Sequence, residues 1–227
     1  MKISERYANE SAKDYVVRQL IYNIVHLNLK PGQKLETPQL CELMKVSSNP
    51  IREAELELNQ INLLEIKPKV GIYVTYIDTS ISDEICELKS TLEAELAAKA
   101  CDMLSKEQID KLWENVAMWQ MYIKRDDEEK IFTLDKEFHA MLYHFCNNNF
   151  WYKLVNNVAP LFDRTTILSF RCNEKSRILH DHEELVQAIE NKDKEKAIAI
   201  SKLHMTRYAE NMADMKKMFP DYFNHYT

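Results

Sequence analysis

The sequence predicts a mainly α-helical protein in two parts: a small N-terminal part that includes a few short strands, and a longer all-helical part. Only two glycines, Gly32 and Gly71, occur among the 227 residues. Because many tight turns require glycine, this scarcity favours long helices with few sharp reversals. Strand-prone runs separated by turn residues occur only before residue 77, whereas apolar residues recur at helical spacing through the rest of the chain.

Composition and charge restrict the classes of function. The hydrophobic fraction of 45% and the charged fraction of 29% are typical of a soluble globular protein. Residues 1–77 carry a net charge of +1 and the remainder −7, so any contact with nucleic acid is expected from the N-terminal part. The five cysteines include no C-x-x-C pair, and no apolar run approaches about 20 residues. A cytoplasmic protein with reduced thiols and no membrane partner is expected.

Residues 1–77 are predicted to form a winged helix-turn-helix. Helical spacing of apolar residues predicts a first helix, which Lys30-Pro31-Gly32 ends, and Thr37-Pro38 opens a second short one. A third helix follows the turn at residues 45–48. Two β-prone runs, with a hairpin tip between them, then form a two-stranded wing. The predicted ranges are helices at about 10–28, from 37 and from 48 to 59, and strands at 63–66 and 72–76.

The start of the third helix has the features of a DNA-reading helix. Ser47 is placed to cap its first turn, and Pro50 is tolerated there because the first amides lack partners within the helix. The outward side chains are short and polar, with one cation in the next turn, which suits a helix entering the major groove. An ordinary capped helix is the alternative. We predict base contacts from Ser47, Ser48, Asn49 and Arg52, and phosphate contacts from Lys34, Lys67 and Lys69.

Residues 78–227 are predicted to form an antiparallel bundle of about six helices. Strand-like alternation disappears after residue 78, and each long segment carries an apolar stripe. The boundary between the two parts is expected between residues 75 and 82. The six predicted helices lie near residues 82–101, 105–124, 128–146, 150–168, 173–191 and 193–217.

Both parts resemble a known family. The segments Leu29–Leu35, Val46–Ala54 and Pro68–Val74 resemble the GntR-family winged helix. In the second part, Leu92-Glu93, Asp135-x-x-Phe138-His139 and His182-x-x-Leu185-Val186 resemble the FCD effector domain of the FadR-like subfamily. The resemblance covers nearly the whole chain. It departs at four positions where the family usually has arginine, leucine, glycine and arginine, namely Ser48, Glu55, Asn62 and Val70.

A metal site is predicted in the helical part. Asp135 and His139 are four residues apart and so share one face of a helix. His182 and His204 lie on the apolar faces of the two last helices. Three imidazoles and one carboxylate suit zinc, which is the first choice, or nickel, iron or manganese. From spacing alone, satisfied core histidines are the alternative; the resemblance implies that these four residues are the metal ligands.

The resemblance also implies a small carboxylate effector that uses open coordination positions of the metal. The family often has an arginine on the first helix of the effector domain, at the position that Lys89 occupies here. Lys89 is therefore the predicted effector contact, although lysine offers a point charge rather than a bidentate fork. A solvated surface lysine is the alternative interpretation.

The predicted function is a ligand-responsive transcription regulator, a repressor rather than an enzyme. We expect a homodimer on a pseudo-palindromic double-stranded DNA operator. One alternative is a metal-dependent phosphohydrolase of the all-helical type that uses His180-Asp181. It is disfavoured because His180 and His182 would point about 200° apart on a helix. A degenerate regulator with weakened DNA binding is the other alternative, since arginines are missing at positions 48 and 70.

Overall fold

The described residues, 1–172 and 175–224 of a computed structural model, form two compact units. The first unit contains residues 1–79 together with the segment from residue 219, and the second contains residues 80–218. The first unit is a winged helix-turn-helix and the second is a helical bundle. The predicted fold class is therefore confirmed.

In its described residues, the first unit has three α-helices and a small antiparallel sheet. The described sheet has three strands, one more than the predicted two-stranded wing, and the last strand in sequence lies between the other two. The additional strand has only two residues, which is too short to produce an alternating pattern in the sequence. The elements are α1 (Ala12–Val25), β1 (Lys34–Leu35), α2 (Thr37–Met44), α3 (Ser48–Gln60), β2 (Leu64–Lys67) and β3 (Gly71–Val74).

The packing of α3 against α1 fixes which face of α3 is exposed. Leu20 and Ile24 of α1 and Ile51 and Leu58 of α3 are all completely buried. Apolar side chains at positions three, four and seven residues apart lie on one side of a helix, so this side forms the core. Arg52 and Glu53, on the opposite side of α3, are exposed.

A segment distant in sequence completes the first unit. The Ile77 amide donates a hydrogen bond to the Tyr222 carbonyl at 2.8 Å, and the Asn224 amide donates to the Ile77 carbonyl at 3.1 Å. Ile77 and Phe223 are both buried. The described C-terminal residues 219–224 therefore pack within the first unit, and they include a short 3-10 helix at Pro220–Tyr222. Residues 225–227 lie outside the described residues.

Within its described residues, the second unit is built from six long helices. In the described chain, each of the last five α-helices packs along its apolar stripe against two of the others. Residues 173 and 174, where the fifth of these helices was predicted to begin, lie outside the described residues. Among the described helices, none combines the length and apolar character that a membrane crossing requires. The helices are α4 (Thr79–Met103), α5 (Lys106–Arg125), α6 (Glu128–Phe145), α7 (Asn149–Arg171), α8 (Lys175–Glu190) and α9 (Lys194–Met218).

Candidate metal centre and nucleic-acid interface

Four side chains from three helices of the second unit meet in one cluster. Asp135 and His139 come from α6, His182 from α8 and His204 from α9. Each residue offers one ligand atom, and the four atoms all lie within 4.8 Å of one another. The structure thus brings together all four residues predicted as metal ligands. We refer to them as the Asp135 cluster.

The arrangement inside the Asp135 cluster converges on one carboxylate oxygen. Asp135 Oδ1 lies 3.8 Å from His139 Nε2 and 3.7 Å from His182 Nε2. The rings of His182 and His204 are 4.7 Å apart between centroids. These separations are too long for hydrogen bonds, and they leave the donor atoms facing a common space.

The environment of His182 fits a metal ligand. Its ring is 1% exposed, stacks on Phe138 at 4.1 Å and meets the edge of Trp119 at 4.9 Å. Burial, with His204, His139 and Lys89 nearby, lowers the pKa of His182 well below its ordinary value, so the ring is neutral and keeps a free lone pair. Both of its nitrogens lack a hydrogen-bond partner among the described residues. A buried, neutral, unpaired imidazole beside two others and a carboxylate suits a divalent transition metal.

Two further carboxylates lie beside histidines of the Asp135 cluster. His139 Nδ1 lies 2.9 Å from Glu93 Oε2, and His204 Nδ1 lies 3.7 Å from Asp181 Oδ2. A carboxylate within hydrogen-bonding distance of a histidine nitrogen, as Glu93 is of His139, fixes the tautomer and orientation of the ring and makes it a better ligand. Although burial opposes ionisation of Glu93, His139 and Lys89 lower its pKa to about 2. Glu93 is therefore ionised, as a carboxylate that polarises His139 must be.

The Glu93→Gln variant should bind metal more weakly by about 10–100-fold, because glutamine cannot polarise His139 as a carboxylate does. Competition between the protein and a chromophoric chelator measures this affinity. Glu95→Gln is the matched control on the same helix, since Glu95 is 57% exposed and pairs only loosely with Lys99 at 3.7 Å. An equal metal affinity in both variants would show that Glu93 does not contribute to metal binding.

Two cavities lie beside the Asp135 cluster. Lys89, Asp135, His139 and Thr166 line both of them. The first, which we call the Arg207 cavity, continues along Arg207 and other residues including Phe162, Ser169 and Tyr208. The second, the Asp163 cavity, continues along Asp163 and others including Glu93, Lys136 and Tyr143. A small molecule in either cavity would lie next to the predicted ligands.

Lys89, the predicted effector contact, lines both cavities. Its side chain is only 14% exposed, and its Nζ lies 3.6 Å from Glu93 Oε1 and 5.4 Å from the centre of the Phe162 ring. Burial disfavours the charged form, yet Glu93, Asp135 and Asp163 outweigh it and raise the pKa of Lys89. The structure therefore places a cation, rather than a solvated surface lysine, beside the Asp135 cluster.

In the first unit, the predicted base-contacting residues lie together on the outer face of α3. Ser47, Ser48, Asn49 and Arg52 are exposed, and Ile51 on the opposite side is buried. Ser47 is the N-cap residue, but in the described chain its side chain makes no capping hydrogen bond, contrary to the expectation from sequence. The Ser47 hydroxyl therefore does not accept a hydrogen bond from the backbone amides of the first turn of α3.

The three predicted phosphate-contacting lysines gather at the wing. Lys34 pairs with Tyr73 across β1 and β3, and its side chain passes over Gly71, where a Cβ atom would lie 2.6 Å from Lys34 Cε. A side chain at Gly71 would displace the end of the Lys34 side chain and would be strained by the φ of 151° at this position. Lys67 Nζ lies over the Tyr73 ring at 5.1 Å. Lys69, at the hairpin tip, is exposed and has a φ of 63°. The wing presents these cations on a surface distinct from its buried core.

Two protein-family descriptions match the chain. The description "Bacterial regulatory proteins, gntR family" matches residues 12–74, and the FCD domain matches residues 84–207. The chain belongs to the GntR family and carries an FCD domain. It is therefore a DNA-binding transcription regulator, and the family resemblance stated from sequence is confirmed.

Named relatives agree with this assignment. The chain of this GntR-family regulator is 24% identical to the HTH-type transcriptional repressor RspR of Escherichia coli (strain K12), over 92% of both proteins. It is 24% identical to the gluconate operon transcriptional repressor of Bacillus subtilis (strain 168), over 83% of this chain and 79% of the relative. The solved structure of Escherichia coli McbR/YncC has the same fold, with a TM-score of 0.77 at 23% identity, over 92% of this chain and 99% of that one.

Sequence reasoning did not assign roles to Glu93, Asp181 and Arg207 in the regulator. Arg207 holds Asp181 with two hydrogen bonds of 2.8 Å each, and Asp181 lies behind His204. Arg207 follows His204 by three residues, so helical spacing could have placed both on one face. The pairing with Asp181 joins residues 26 apart on different helices, and no local pattern indicates it.

The phosphohydrolase alternative is not favoured. Relatives and family descriptions point to transcription regulators rather than to enzymes. His180 is 65% exposed and its nearest charged neighbours are Glu183 and Glu184, at 3.6 and 3.9 Å. His180 and Asp181 therefore do not act as a pair of ligands in the Asp135 cluster.

Glu55, which replaces the family's usual leucine, is buried on the packed face of α3. It is 2% exposed, and its Oε1 accepts a hydrogen bond from the Thr37 hydroxyl at 3.2 Å. Burial raises the pKa of Glu55 above its ordinary value, partly offset by Thr37 and Arg52. An acid whose folded-state pKa is raised contributes stability below its unfolded pKa and loses it as pH rises through the folded pKa.

The Glu55→Gln variant should therefore be more stable at pH 7, by about 1 kcal/mol, because glutamine keeps an acceptor for Thr37 without a buried charge. The gain should shrink when the pH falls towards the ordinary glutamate value of 4.5. Calorimetric unfolding at several pH values measures both effects. Glu57→Gln, which affects a half-exposed pair with Lys13, should change little. A Gln variant that is less stable than the parent at pH 7 would contradict the argument.

Proposed function

We propose that this regulator is a homodimeric repressor whose FCD domain binds a divalent metal and a small carboxylate effector. The observation that carries the proposal is the Asp135 cluster, in which the ligand atoms of four residues approach within 4.8 Å. The unpaired nitrogens of His182 add support, because buried polar atoms without partners are rare in folded proteins. Lys89 beside the cluster provides a cation for an anionic ligand.

Asp135, His139, His182 and His204 would hold the metal. Zinc is our first choice for this donor set, and nickel, iron or manganese would also accept it. A bound metal of coordination number five or six would offer open positions to a carboxylate. Lys89 would attract and orient the same carboxylate by its charge, and the surrounding apolar residues, such as Phe138, would exclude water.

On DNA, we propose that two copies of the chain place their α3 helices in successive major grooves of a pseudo-palindromic operator. In that arrangement the two half-sites lie about 34 Å apart, one turn of the double helix. Ser47, Ser48, Asn49 and Arg52 would approach base edges. Lys34, Lys67 and Lys69 would hold the phosphate backbone, which fixes position without reading sequence.

Effector binding would change operator affinity by linkage. A ligand that binds one arrangement of the dimer better than another shifts the dimer towards that arrangement. The coupling is reciprocal, so effector and operator DNA change each other's affinity by the same factor. Couplings of this kind typically change affinity about 5–150-fold. For a repressor relieved by its effector, operator affinity decreases when the carboxylate is bound.

Removal of the wing cations should reduce the salt dependence of binding. Each phosphate contact contributes about −0.9 to the slope of log K against log salt, so Lys67→Ala with Lys69→Ala should make the slope shallower by about 1.8. Fluorescence anisotropy at several salt concentrations measures the slope. Lys192→Ala with Lys196→Ala, a change in the second unit, serves as the control for net charge. If the wing variant showed the same slope of log K against log salt as the unmodified protein, these lysines would be excluded as phosphate contacts.

Operator binding by the zinc-loaded chain tests the whole proposal. A labelled duplex from the region upstream of the chain's own gene is titrated with protein, with and without a panel of small carboxylates, and the affinity is followed by anisotropy. The proposal predicts sequence-selective binding that at least one carboxylate weakens, and that a chelator makes insensitive to that carboxylate. Binding that no carboxylate changes, or that chelation leaves equally responsive, would contradict it.

A further inference from the structure

The chain crosses from one unit to the other at two places. The first crossing follows Thr79, the first residue of α4, and the second follows Met218, the last residue of α9. After the second crossing, residues 219–224 pack within the first unit, and we call them the C-terminal strap. A second attachment closes a loop in the chain and restricts relative motion more than a single linker does.

The helix that leads into the C-terminal strap is held firmly in the second unit. Asn211 Nδ2 on α9 donates a hydrogen bond of 2.9 Å to Ser169 Oγ on α7, and both side chains are buried. Met215, one turn further along α9, is completely buried. The same helix carries His204 of the Asp135 cluster. A displacement of α9 within the bundle would therefore also displace the start of the strap.

The C-terminal strap is a compact connection rather than a loose one. Its 3-10 helix at Pro220–Tyr222 begins two residues after the end of α9. The Tyr222 amide donates a hydrogen bond to the Phe219 carbonyl at 3.0 Å, and the two rings stack with centroids 5.6 Å apart. The proline fixes one backbone angle, and the strap contains no glycine. Such a segment transmits a displacement that a flexible linker would absorb.

The other end of the C-terminal strap pairs with the segment that leaves the wing. Ile77 follows the last residue of β3 by three positions. Its amide donates to the Tyr222 carbonyl, and its carbonyl accepts from the Asn224 amide, so that Ile77 and Phe223 form a parallel bridge. Both bridge residues are buried. The strap thus connects the end of α9 to the base of the wing.

The pairing with Ile77 has the character of an element with two states. Among the described residues, two backbone hydrogen bonds and the burial of the Phe223 ring hold the strap to Ile77. Each bond contributes modestly in net terms because water can replace it. The strap can therefore open in a local step while the rest of the first unit stays folded. Coupling between distant sites requires a two-state element of this kind.

We propose that the C-terminal strap couples the two units: it is docked on Ile77 in one arrangement of α9 and released in another. When docked, it restricts the motion of the winged helix-turn-helix, which lowers the entropy cost of binding an operator. When released, it leaves that unit attached through α4 alone. The inference rests on the proposed function, since it names the route by which a ligand of the second unit changes operator affinity.

Two substitutions at one position test whether the strap is docked. Asn224→Pro removes the amide that donates to Ile77, and the extended backbone of Phe223 (φ −98°, ψ 152°) tolerates a following proline. Asn224→Ala keeps the amide and is the matched control. Hydrogen exchange of the full-length protein, followed by mass spectrometry, should show the Ile77 amide exchanging at least about tenfold faster in Asn224→Pro and nearly unchanged in Asn224→Ala. A chain that ends at Met218 should show at least the same acceleration, and circular dichroism establishes that each variant is folded.

Operator duplex and zinc serve as separate probes of the coupling. In the parent, duplex bound to the first unit should slow exchange in the last turns of α9, residues 208–218, about fivefold. Zinc bound to the second unit should slow exchange of the Ile77 amide by a similar factor, because ordering of α9 also orders the strap. Asn224→Pro should lose both effects and bind the duplex about fivefold more weakly, whereas Asn224→Ala should behave as the parent.

The outcomes separate this inference from the proposed function. Unchanged exchange of the Ile77 amide in Asn224→Pro and in the chain that ends at Met218 would overturn the docking. Probes that bind but alter exchange only in their own unit, or effects that persist in Asn224→Pro, would overturn the coupling and leave the proposed function standing. If the parent fails to bind one probe, the proposed function is contradicted, and the other probe with the Ile77 exchange still decides the inference.

Discussion

The His182→Ala variant is expected to lose its bound metal. His182 is the ligand with both nitrogens buried and unpaired among the described residues, and alanine provides no donor atom in its place. Removal of an outer-shell partner already weakens metal binding about 10–100-fold, so removal of a ligand should weaken it further. Elemental analysis of the purified protein should give about one metal ion per chain for the parent and close to none for the variant.

His180→Ala is the matched control for this experiment. His180 lies on the same helix two residues earlier and is 65% exposed, so its removal should leave the metal content unchanged. Circular dichroism establishes that both variants are folded. A conservative His182→Gln variant, which keeps a polar side chain in the buried space, provides a second test. Full metal content in folded His182→Ala and His182→Gln would show that the histidine is a core residue rather than a ligand.

The Arg52→Ala variant should bind operator DNA more weakly by about 1–3 kcal/mol and discriminate less against altered bases. Arg52 is the one cation on the exposed face of α3 in the described chain, because Ser48 occupies a position where the family usually has arginine. Arg52→Lys should recover more of the affinity than of the discrimination, since the lysine ammonium is a flexible point charge without the planar fork of the guanidinium. Anisotropy titrations on the operator and on single-base variants measure both quantities.

Lys111→Ala is the control for Arg52. It removes one exposed cation from α5, in the second unit, and should leave operator affinity unchanged. If Arg52→Ala bound operator as well as the parent did, α3 would not read bases through Arg52. The alternative of a degenerate regulator with weakened DNA binding would then be favoured.

The parts of the fold that sequence predicts well are those set by local patterns. Helical spacing of apolar residues located all nine helices of the described chain to within a few residues. Turn residues located the wing, since Gly71 and the preceding proline interrupt two β-prone runs. The two-residue strand at Lys34 was missed because it exists only through its pairing with β3.

The candidate site was predictable only where its residues repeat along a helix. Asp135 and His139 share a face because they are four residues apart, and the resemblance joined them to His182 and His204. The outer carboxylates Glu93 and Asp181 depend on contacts between different helices, which no local pattern encodes. The pairing of Lys136 with Asp163 likewise joins α6 to α7 across 27 residues.

Glu55 illustrates a departure that sequence could identify but not interpret. A carboxylate replaces a family leucine at a helix position that borders the core, and the sequence alone leaves its burial open. In the structure, Thr37 at the start of α2 provides the hydrogen bond that makes this burial tolerable. The substitution therefore affects the stability of the first unit rather than adding a contact on the exposed face of α3.

Native mass spectrometry of the protein with its operator duplex tests the central claim most directly. The protein is purified without chelators, mixed with the duplex from its own upstream region, and measured under non-denaturing conditions. The proposed function predicts a complex of two chains and one duplex that carries one divalent metal ion per chain. Protein that is purified without chelators and carries no metal, or metal-loaded protein that forms no complex with the duplex, would contradict a metal-binding effector domain joined to a functional DNA-binding domain.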